Sequence, residues 1–405
     1  MNARRSLVHL ALATALVTGV TSASATMEAP LAIVVEQGKS EPGTPPVLSD
    51  GVRVATSASH TLVIAPDGRV LCQGRNQHAV CGVDPATTPF VDTLSPVPGI
   101  PKARAVAVAD TWTSMVLGED GRVYVWGQNN FGLFGGTDRG PTFVRRQPTV
   151  IAGLDRVIGI AAFEHGGAAL REDGTVWMWG EDTEGLLATG TTTLSGQSGK
   201  PYYTPRRVAG IDGVTQLAGG SKHVLVLKSD GTVWVWGANK YWQLGLGDTD
   251  RRGVPTKIPT LSGVTRIYAE ADMSAARQAN GSWLVWGDAP SAQPPTDDGP
   301  PVRVPSPLPG MLQTASDVAM GVAAFPDGTV RTWGSNSFGT LGTGGSVDAV
   351  SRRGVVVKTL SGIIRVWGGG NRVLALKSDG TLYYWGVAGS ADNRVLRVPT
   401  VMAKF

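Results

Sequence analysis

The side chains that carry most enzyme chemistry are few and scattered in this chain. Beyond residue 25 the histidines and cysteines are His60, His78, His165, His223, Cys72 and Cys81. They form no pair at zinc-ligand spacing, and neither a phosphate-binding glycine loop nor a Gly-x-Ser-x-Gly motif is present. The sequence therefore predicts no metal site, no cofactor and no catalytic residue.

The two cysteines are close enough in sequence to cross-link. Cys72 lies on the strand before a turn at Gly74, and Cys81 lies on the return, nine residues later. In an oxidising compartment a bridge across this turn is feasible. The alternative is two buried thiols in apolar positions, because the next copy of the pattern has Val125 and Phe134 there. We predict the disulfide.

These residues belong to a recurring pattern: a short apolar strand, a turn ending in Asp-Gly or Asn-Gly, a second strand and usually Trp-Gly. The residues before the turn glycines are Asp67, Asp120, Asp173, Asp230, Asn280, Asp327 and Asp379. Successive gaps are 53, 53, 57, 50, 47 and 52 residues. A period near 50 indicates one repeated supersecondary unit, and seven units of short strands form a ring.

The fourth unit shows the pattern most clearly. Its strands are expected at residues 214–217, 223–227 and 232–236. Asp230-Gly231 suits a tight hairpin, because glycine accepts a positive φ and the aspartate side chain can bond the turn backbone. We predict an all-β, seven-bladed β-propeller of four-stranded antiparallel blades, almost without helix.

One tryptophan recurs at the end of the second hairpin strand in six of the seven repeats. These residues are Trp126, Trp179, Trp236, Trp286, Trp333 and Trp385, and the first repeat has Gln73 instead. A large aromatic side chain placed once per blade is best explained as a wedge that packs between blades. We therefore interpret these tryptophans as structural.

Three segments carry a resemblance to a known family. They are residues 229–247 (SDGTVWVWGANKYWQLGLG), 119–135 and 326–344. Each is similar to the repeat of the regulator of chromosome condensation family, and the resemblance covers about residues 45–405. It implies a seven-bladed β-propeller, in agreement with the independent count of seven turns.

The resemblance implies several kinds of function. Members of the family act as nucleotide exchangers for a small nuclear GTPase, as an ultraviolet-B receptor in plants and as secreted bacterial β-lactamase inhibitors. An export signal argues against the first, and the Gly-Trp-Arg-His-Thr motif of the second is missing here. The third matches the compartment, although its repeats are shorter. All of them bind a partner through loops on one face of the propeller.

The N-terminus has the features of a signal peptide. Arg4 and Arg5 precede an apolar run at residues 7–20, and Ala23-Ser24-Ala25 offers the small residues that a signal peptidase requires. We predict a signal peptide at residues 1–25 cleaved near Ala25, a flexible leader at 26–44 and the propeller at 45–405. The mature protein is then secreted or periplasmic, with no membrane insertion.

The charge balance gives no sign of nucleic-acid binding. Of 36 basic residues, two belong to the signal peptide, which leaves 34 against 32 acidic residues. No block of lysine or arginine stands out, so the phosphate backbone has no matching basic surface. We expect a monomer that binds protein rather than nucleic acid.

The loop before the second strand of each repeat varies most along the chain. If it opens onto the same face in every blade, it gathers a candidate partner-binding rim. The residues of this rim are Trp112, Phe163, His165, Lys222, Asp272, Asn371 and Arg372. An exposed aromatic residue among mixed charges is typical of an interaction hot spot, although ordinary solvated loops are the alternative explanation.

We therefore expect an exported, non-catalytic scaffold that binds a macromolecular partner, in the first place a protein. One alternative is a cell-envelope enzyme, a polysaccharide hydrolase or lyase that uses the same loops. A carboxylate pair about 5 to 10 Å apart in a cleft would favour it. The other alternative is a secreted enzyme inhibitor.

A propeller must also join its last blade to its first. Residues 397–402 repeat the pattern of residues 147–150 and 254–258, which precede the first strand of the next repeat. We predict that this C-terminal segment pairs into the first blade, which spans residues 52–74. Residues 45–48 are a competing candidate for the same position.

Overall fold

A computed structural model describes most of the chain after residue 51. The described residues are 52–109, 112–129, 132–135, 143–163, 165–192, 200–288, 302–308, 313–317, 320–325, 327–346, 349–369, 371–388 and 394–405. The expected signal peptide and leader, and the competing segment 45–48, lie outside these ranges. The regular elements within them are β-strands, and no helix there is long and apolar enough to cross a membrane.

The strands follow one another in groups of four. Those of the first four groups are β1 (Arg53–Thr56), β2 (His60–Ile64), β3 (Val70–Arg75), β4 (Phe90–Pro96), β5 (Ala103–Ala109), β6 (Thr113–Gly118), β7 (Val123–Gln128), β8 (Val144–Val150), β9 (Val157–Phe163), β10 (Gly166–Arg171), β11 (Val176–Asp182), β12 (Lys200–Arg207), β13 (Val214–Gly219), β14 (His223–Lys228), β15 (Val233–Gly237) and β16 (Arg252–Lys257). Those of the last three are β17 (Val264–Glu270), β18 (Met273–Gln278), β19 (Trp283–Gly287), β20 (Val302–Leu308), β21 (Gln313–Asp317), β22 (Met320–Ala324), β23 (Val330–Ser335), β24 (Val350–Val356), β25 (Ile363–Gly369), β26 (Arg372–Lys377), β27 (Thr381–Val387) and β28 (Val395–Lys404).

Each group is one antiparallel sheet in which neighbours in sequence are neighbours in space, from β1-β2-β3-β4 to β25-β26-β27-β28. The first strands of successive sheets contact one another around a ring, β1 to β5 and onward to β25, which contacts β1 again. Seven sheets around a common axis confirm the predicted seven-bladed β-propeller. The second strands are almost completely buried, since blades cover both of their faces.

The predicted joining of the chain ends is wrong. The C-terminal strand β28 pairs with β27 of its own blade, for example Thr381 opposite Lys404 and Tyr384 opposite Thr400. The first blade is complete without it, because β4 (Phe90–Pro96) is its fourth strand. The repeated Val-Pro-Thr segments are therefore the outermost strands of their own blades. The sequence pattern had assigned the last of them to the following blade.

Side chains, rather than a shared sheet, join the last blade to the first. Val54 and Val63 of the first blade pack with Trp367 and Leu374 of the seventh in one apolar cluster, and Phe405 covers its edge. The outer strand β28 also touches β4. The ring is closed by burial of apolar surface, as it is between the other blades.

Buried hydrogen bonds connect the second strands of neighbouring blades at three junctions. In each case the first residue of a second strand contacts the hydroxyl of the second residue in the second strand of the next blade. The pairs are His60 with Ser114 at 2.8 Å, His223 with Ser274 at 2.8 Å and Arg372 with Thr61 at 2.6 Å. Arg372 thus makes at the closing junction the bond that histidine makes at two others.

The recurring tryptophans join the blades in a second way. Five of them are fully buried, and each indole N–H donates to a backbone carbonyl in a loop of the preceding blade. The pairs are Trp126 with Val80, Trp179 with Leu133, Trp236 with Leu186, Trp286 with Gln243 and Trp385 with Thr340, at 2.7 to 2.9 Å. Trp333 is half-buried. In the first blade Gln73 bonds instead to Asp92 O within its own sheet.

The loops that accept these indole bonds are held by one polar side chain each. In the fourth blade the Asn239 carbonyl accepts from the N–H of Leu244, and its amide donates to the carbonyls of Asp248 and Asp250. Asn76, Asn129 and Asn336 accept from the equivalent N–H in their blades.

The third blade uses a carboxylate in place of this asparagine. Asp182 accepts from the N–H of Leu187 and from the hydroxyls of Thr189 and Thr191. In this blade hydroxyl donors therefore replace the carbonyl acceptors, which keeps the buried carboxylate satisfied.

The Asp-Gly turns have the predicted geometry. In all seven, the Asp or Asn side chain accepts from the N–H two residues later, as Asp230 does from Thr232 and Asn280 from Ser282. The glycine that follows Asp230 has a φ of 77°, where a Cβ would cause strain. Local hydrogen bonding thus fixes every turn at the face opposite the variable loops.

These turns predict a loss of stability in acid. Bonds from the hydroxyl and N–H of Thr381 lower the pKa of Asp379 to about 2, and Lys377 adds to the shift. The same causes lower the pKa of Asp173, Asp230 and Asp327, and Arg69 lowers that of Asp67. Because aspartate takes up its proton near pH 4 in the unfolded chain and at a lower pH in these folded turns, the turns stabilise the fold above pH 4 and lose this effect as the pH falls below it.

We therefore expect the melting temperature to fall between about pH 4 and pH 2. A variant with asparagine at these five aspartates, which imitates the natural Asn280 turn, should show a flatter profile in that interval when melted by circular dichroism. Equal slopes for the variant and the wild type would contradict this assignment.

The first blade contains the predicted disulfide. Cys72 and Cys81 are bonded, with Cα atoms 5.3 Å apart, and no described cysteine is free. The bridge ties β3 to the loop that carries Val80, the carbonyl acceptor of the Trp126 indole. It therefore holds in place a loop that the second blade uses as a contact.

Candidate functional site

The propeller has one face of variable loops. Because consecutive strands of a blade are antiparallel, the turn after the first strand and the loop after the third strand lie at the same end of the blade. We call this end the loop face; in the fourth blade it comprises residues 220–222 and 238–251. The Asp-Gly turns occupy the opposite end.

The structure brings most of the predicted rim residues to equivalent positions on the loop face. Trp112 is 39% exposed. His165, Lys222, Asp272 and Asn371 are half-buried, each directly before the second strand of its blade. His165 Nδ1 lies 3.4 Å from Glu181 Oε2, and Asp272 Oδ1 accepts from Gln243 Nε2 at 2.7 Å.

Two predicted rim residues are not available to a partner. Phe163 is 1% exposed, because it ends an inner strand and turns into the core beside Leu217 and Trp236. Arg372 is fully buried, because its guanidinium bonds Thr61 of the first blade and the carbonyl of Val387. Both are structural residues of the ring.

Sequence reasoning missed two exposed aromatic residues on the same face. Tyr241 is 38% and Phe338 42% exposed, and each lies two residues after the loop asparagine of its blade, Asn239 or Asn336. This fixed offset from the asparagine is the sequence signal that could have identified them. It lies in the loop after the third strand, whereas the predicted rim consists of residues near the loop before the second strand.

The remaining large hydrophobic side chains that are exposed lie elsewhere. They are Val254, Val356, Val398 and Val401, all on the outermost strands of their blades. Among the described residues, the exposed aromatic side chains of this group are therefore confined to the loop face. Aromatic residues that remain accessible on one face are typical of a protein-binding surface.

A concave pocket of about 260 Å³ lies on the loop face beside Trp112. Its lining comes from the first blade and the start of the second. The lining residues are Ala58, Ser59, Arg75, Gln77, His78, Val80 and Trp112. The rings of His78 and Trp112 are 5.1 Å apart and tilted, and burial lowers the pKa of His78.

The pocket borders a chain of hydrogen bonds that could be mistaken for a catalytic dyad. Ser114 donates to the carbonyl of Val80 at 2.8 Å, so His60 Nε2 must donate to Ser114. His60 Nδ1 then accepts from the Ser59 hydroxyl at 2.9 Å. The chain ends on a carbonyl, not on a carboxylate that would stabilise an imidazolium.

The fourth blade has the same chain of hydrogen bonds, except that it has no counterpart of Ser59. His223 contacts Ser274 at 2.8 Å, Ser274 donates to the carbonyl of Gln243 at 2.7 Å, and Lys222 stands where the first blade has Ser59. Burial lowers the pKa of His223 to about 3, which keeps it neutral near pH 7. The histidines therefore connect blades, and the pocket geometry provides no activated nucleophile.

Several carboxylates at this face are engaged in bonds within the protein. Besides Asp272, Glu184 forms an ion pair with Arg251 at 2.9 Å and Glu270 accepts from the Tyr268 hydroxyl. Among the described residues, no carboxylate lines the pocket and no cluster suited to a metal ion occurs. The described side chains of this face offer a surface for recognition.

The comparison with known families assigns this architecture. The model of the RCC1-like domain matches residues 26–354 of the chain. The chain belongs to the RCC1-like family. This agrees with the repeat resemblance and the blade count.

Two relatives show how much of this RCC1-like chain is matched and at what sequence identity. Protein pim1 of Schizosaccharomyces pombe is 30% identical over 220 residues, which are 52% of this chain and 40% of that protein. The ultraviolet-B receptor UVR8 of Arabidopsis thaliana is 28% identical over 298 residues, 71% of this chain and 66% of that protein. The chain thus spans about 40% and 66% of the lengths of these two relatives.

The fold is also found among solved structures. Prp20p of Saccharomyces cerevisiae superposes with a TM-score of 0.68 at 19% identity, covering 88% of each chain. At that identity the match establishes the shared fold alone.

Proposed function

We propose that this chain is an exported, non-catalytic propeller that binds a protein partner through its loop face. The observation that carries the proposal is the position of the exposed aromatic residues. Trp112, Tyr241 and Phe338 come from three different blades and all open onto the loop face. Aromatic residues provide a large contact area at low entropic cost, which is why they dominate binding hot spots.

The family supports a role in protein binding. Prp20p, which shares the fold, is described with binding properties to Gsp1p and histones. A ring of rigid blades positions loops from separate parts of the chain on one surface, so that function resides in the loops. The loop residues of this chain determine its proposed partner, which need not be the partner of a relative.

Export is supported by the sequence and by the cysteines. The charged start, the apolar run and Ala23-Ser24-Ala25 have the order of a secretory signal. The pairing of Cys72 with Cys81 is suited to an oxidising compartment. We therefore place the proposed partner in the periplasm or outside the cell.

The proposal predicts capture of a partner by the wild type and its loss on removal of the aromatic residues. The full chain, exported with its own N-terminal segment, is used to capture proteins from envelope and culture fractions of its source. A variant with serine at Trp112, Tyr241 and Phe338 should retain less than a tenth of the captured partner, because the hot-spot contacts are gone.

The matched control removes an equal number of exposed apolar residues elsewhere. Serine at Val254, Val356 and Val398 changes only the outermost strands and should leave capture unchanged. Failure of the wild type to capture any protein, or loss of capture in the valine variant alone, would contradict the proposal.

A further inference from the structure

The outermost strands of the blades differ from the whole chain in their charge. Twelve lysine or arginine residues and a single acidic residue, Asp92, lie on these seven strands, which are β4, β8, β12, β16, β20, β24 and β28. The whole chain has 36 basic and 32 acidic residues. β12 holds three of the twelve, β20 holds one, and β8, β16, β24 and β28 hold two each. Acidic residues are therefore almost excluded from these strands.

The fold places these basic residues on one continuous surface. Each of the seven strands is the last of its sheet and pairs with a neighbour on one side only. Such strands form the outer wall of a propeller. In the sequence they are separated by the other strands of each repeat, so no basic block appears there. Because β4 has no basic residue, the basic part of the wall extends from the second blade to the seventh. We call this part the basic wall.

Some of this charge is paired within the protein, and some of it faces solvent. Three arginines form ion pairs with aspartates in nearby loops: Arg146 with Asp84, Arg207 with Asp212 and Arg252 with Asp248. By contrast, Arg206, Arg397 and Lys404 are exposed and form no ion pair among the described residues. Arg206 stacks on the Tyr202 ring, a contact that does not neutralise its charge. The basic wall therefore presents positive charge to solvent on separate blades.

Protection of the open sheet edges explains charge on these strands but not its sign. Charged side chains and prolines keep an edge strand from pairing with another chain. Six of the seven outermost strands already contain a proline, which cannot donate to a ladder. A carboxylate would repel a second copy of its own edge as an ammonium does, and glutamate is no poorer a strand former than lysine. The bias toward positive charge points instead to an anionic ligand.

The shape and composition of the basic wall indicate which kind of anion it fits. The wall curves around the ring, so a flat membrane would meet only a part of it. Duplex DNA has a persistence length of about 50 nm, whereas a domain of this size has a radius of gyration of about 2 nm. Single-stranded nucleic acid binds by stacking its bases on aromatic side chains. Five of the six strands of the basic wall have no aromatic residue.

We propose that the basic wall binds an acidic polysaccharide, a flexible chain whose carboxylate, sulfate or phosphate groups pair with exposed lysine and arginine side chains on several blades at once. Each exposed ion pair contributes little by itself, and repetition along one polymer produces the affinity. The wall is separate from the loop face, so a protein partner and a polysaccharide can be bound together. This proposal goes beyond the loop-face function and does not depend on it.

The test uses polygalacturonate, a polysaccharide with one carboxylate on each sugar. Binding of the full chain, exported with its own N-terminal segment, to the immobilised polymer is measured by biolayer interferometry at a series of salt concentrations, with neutral dextran as the reference. We expect binding to polygalacturonate and not to dextran. The logarithm of the affinity should fall linearly with the logarithm of the salt concentration, because binding releases the counterions of the polymer.

Two variants that lose the same charge locate the site. Glutamine at Arg206, Arg397 and Lys404 removes three positive charges from the basic wall, which should weaken binding at least tenfold and make the salt dependence less steep. Glutamine at Lys102, Arg104 and Arg122 removes three exposed positive charges near the Asp-Gly turns of the first two blades and should change the affinity less than threefold. Melting curves verify that both variants fold.

The proposal is overturned if the wild type does not bind polygalacturonate, if it binds dextran equally, or if the two variants weaken binding to the same degree. Tighter binding of a short DNA duplex or of phosphatidylglycerol vesicles than of polygalacturonate at the same salt concentration would also overturn it. The proposed function is tested separately. The basic-wall variant should still capture the protein partner, and the variant at Trp112, Tyr241 and Phe338 should still bind polygalacturonate.

Discussion

Replacing Trp236 with alanine is expected to lower the free energy of unfolding by about 3–5 kcal/mol. The side chain is fully buried in the interface between the third and fourth blades, where it packs with Phe163 and Met178. Its indole also donates to the carbonyl of Leu186 at 2.8 Å. Alanine would leave both a cavity and an unpaired carbonyl, and chemical denaturation of the variant measures the sum.

Two controls separate these contributions. Trp236→Phe keeps most of the volume and loses the hydrogen bond, so we expect about 1–2 kcal/mol. Trp234, two residues earlier on the same face of the strand, is only half-buried at the edge of the same cluster, with the Lys228 ammonium 5.6 Å from its ring centre. Trp234→Ala should therefore cost clearly less than Trp236→Ala, and an equal cost would show that the recurring tryptophan does not connect the blades.

Removing the disulfide is expected to cost about 2–3 kcal/mol for a loop of this length. Cys72 and Cys81 are nine residues apart, so that the bridge restricts a short segment of the unfolded chain. The double variant with alanine at both positions loses the bridge and also the apolar volume, since both sulfurs lie in the core of the first blade.

The other blades supply the matched control. Val125 and Val235 occupy the position of Cys72 in their blades, and Leu187 and Leu244 that of Cys81. Cys72→Val with Cys81→Leu should therefore restore packing without the bridge and recover part of the stability in urea unfolding. If reducing agent has no effect on the wild type, the covalent bond contributes nothing to stability.

The sequence could predict the fold because its strongest signals are local. Each turn is defined by Asp-Gly or Asn-Gly and by the bond that the Asp or Asn side chain accepts from the N–H two residues later, and a pair such as Trp236-Gly237 ends the strand that follows. These signals repeat with one period, so the number of blades follows directly. The strand pairing of the chain ends does not follow, because a periodic pattern is the same whichever repeat boundary is chosen.

The candidate site was harder to predict for a different reason. Arg372 was assigned to the surface, where charged residues mostly lie, yet it takes the place that a buried histidine has at two other junctions and bonds Thr61. Tyr241 and Phe338 were missed because the third-to-fourth strand loops lie far in sequence from the loops that were compared. Only the antiparallel order of the strands places both kinds of loop at one face.

Hydrogen exchange of the complex with a captured partner tests the central claim most directly. If the partner binds the loop face, the backbone amides of residues 238–251 and 336–346 should exchange more slowly in the complex than in the free chain. The Asp-Gly turns at residues 229–232 and 378–381, on the opposite face, should be unchanged. Protection of those turns or of the outermost strands, with no change in the loops, would contradict the account.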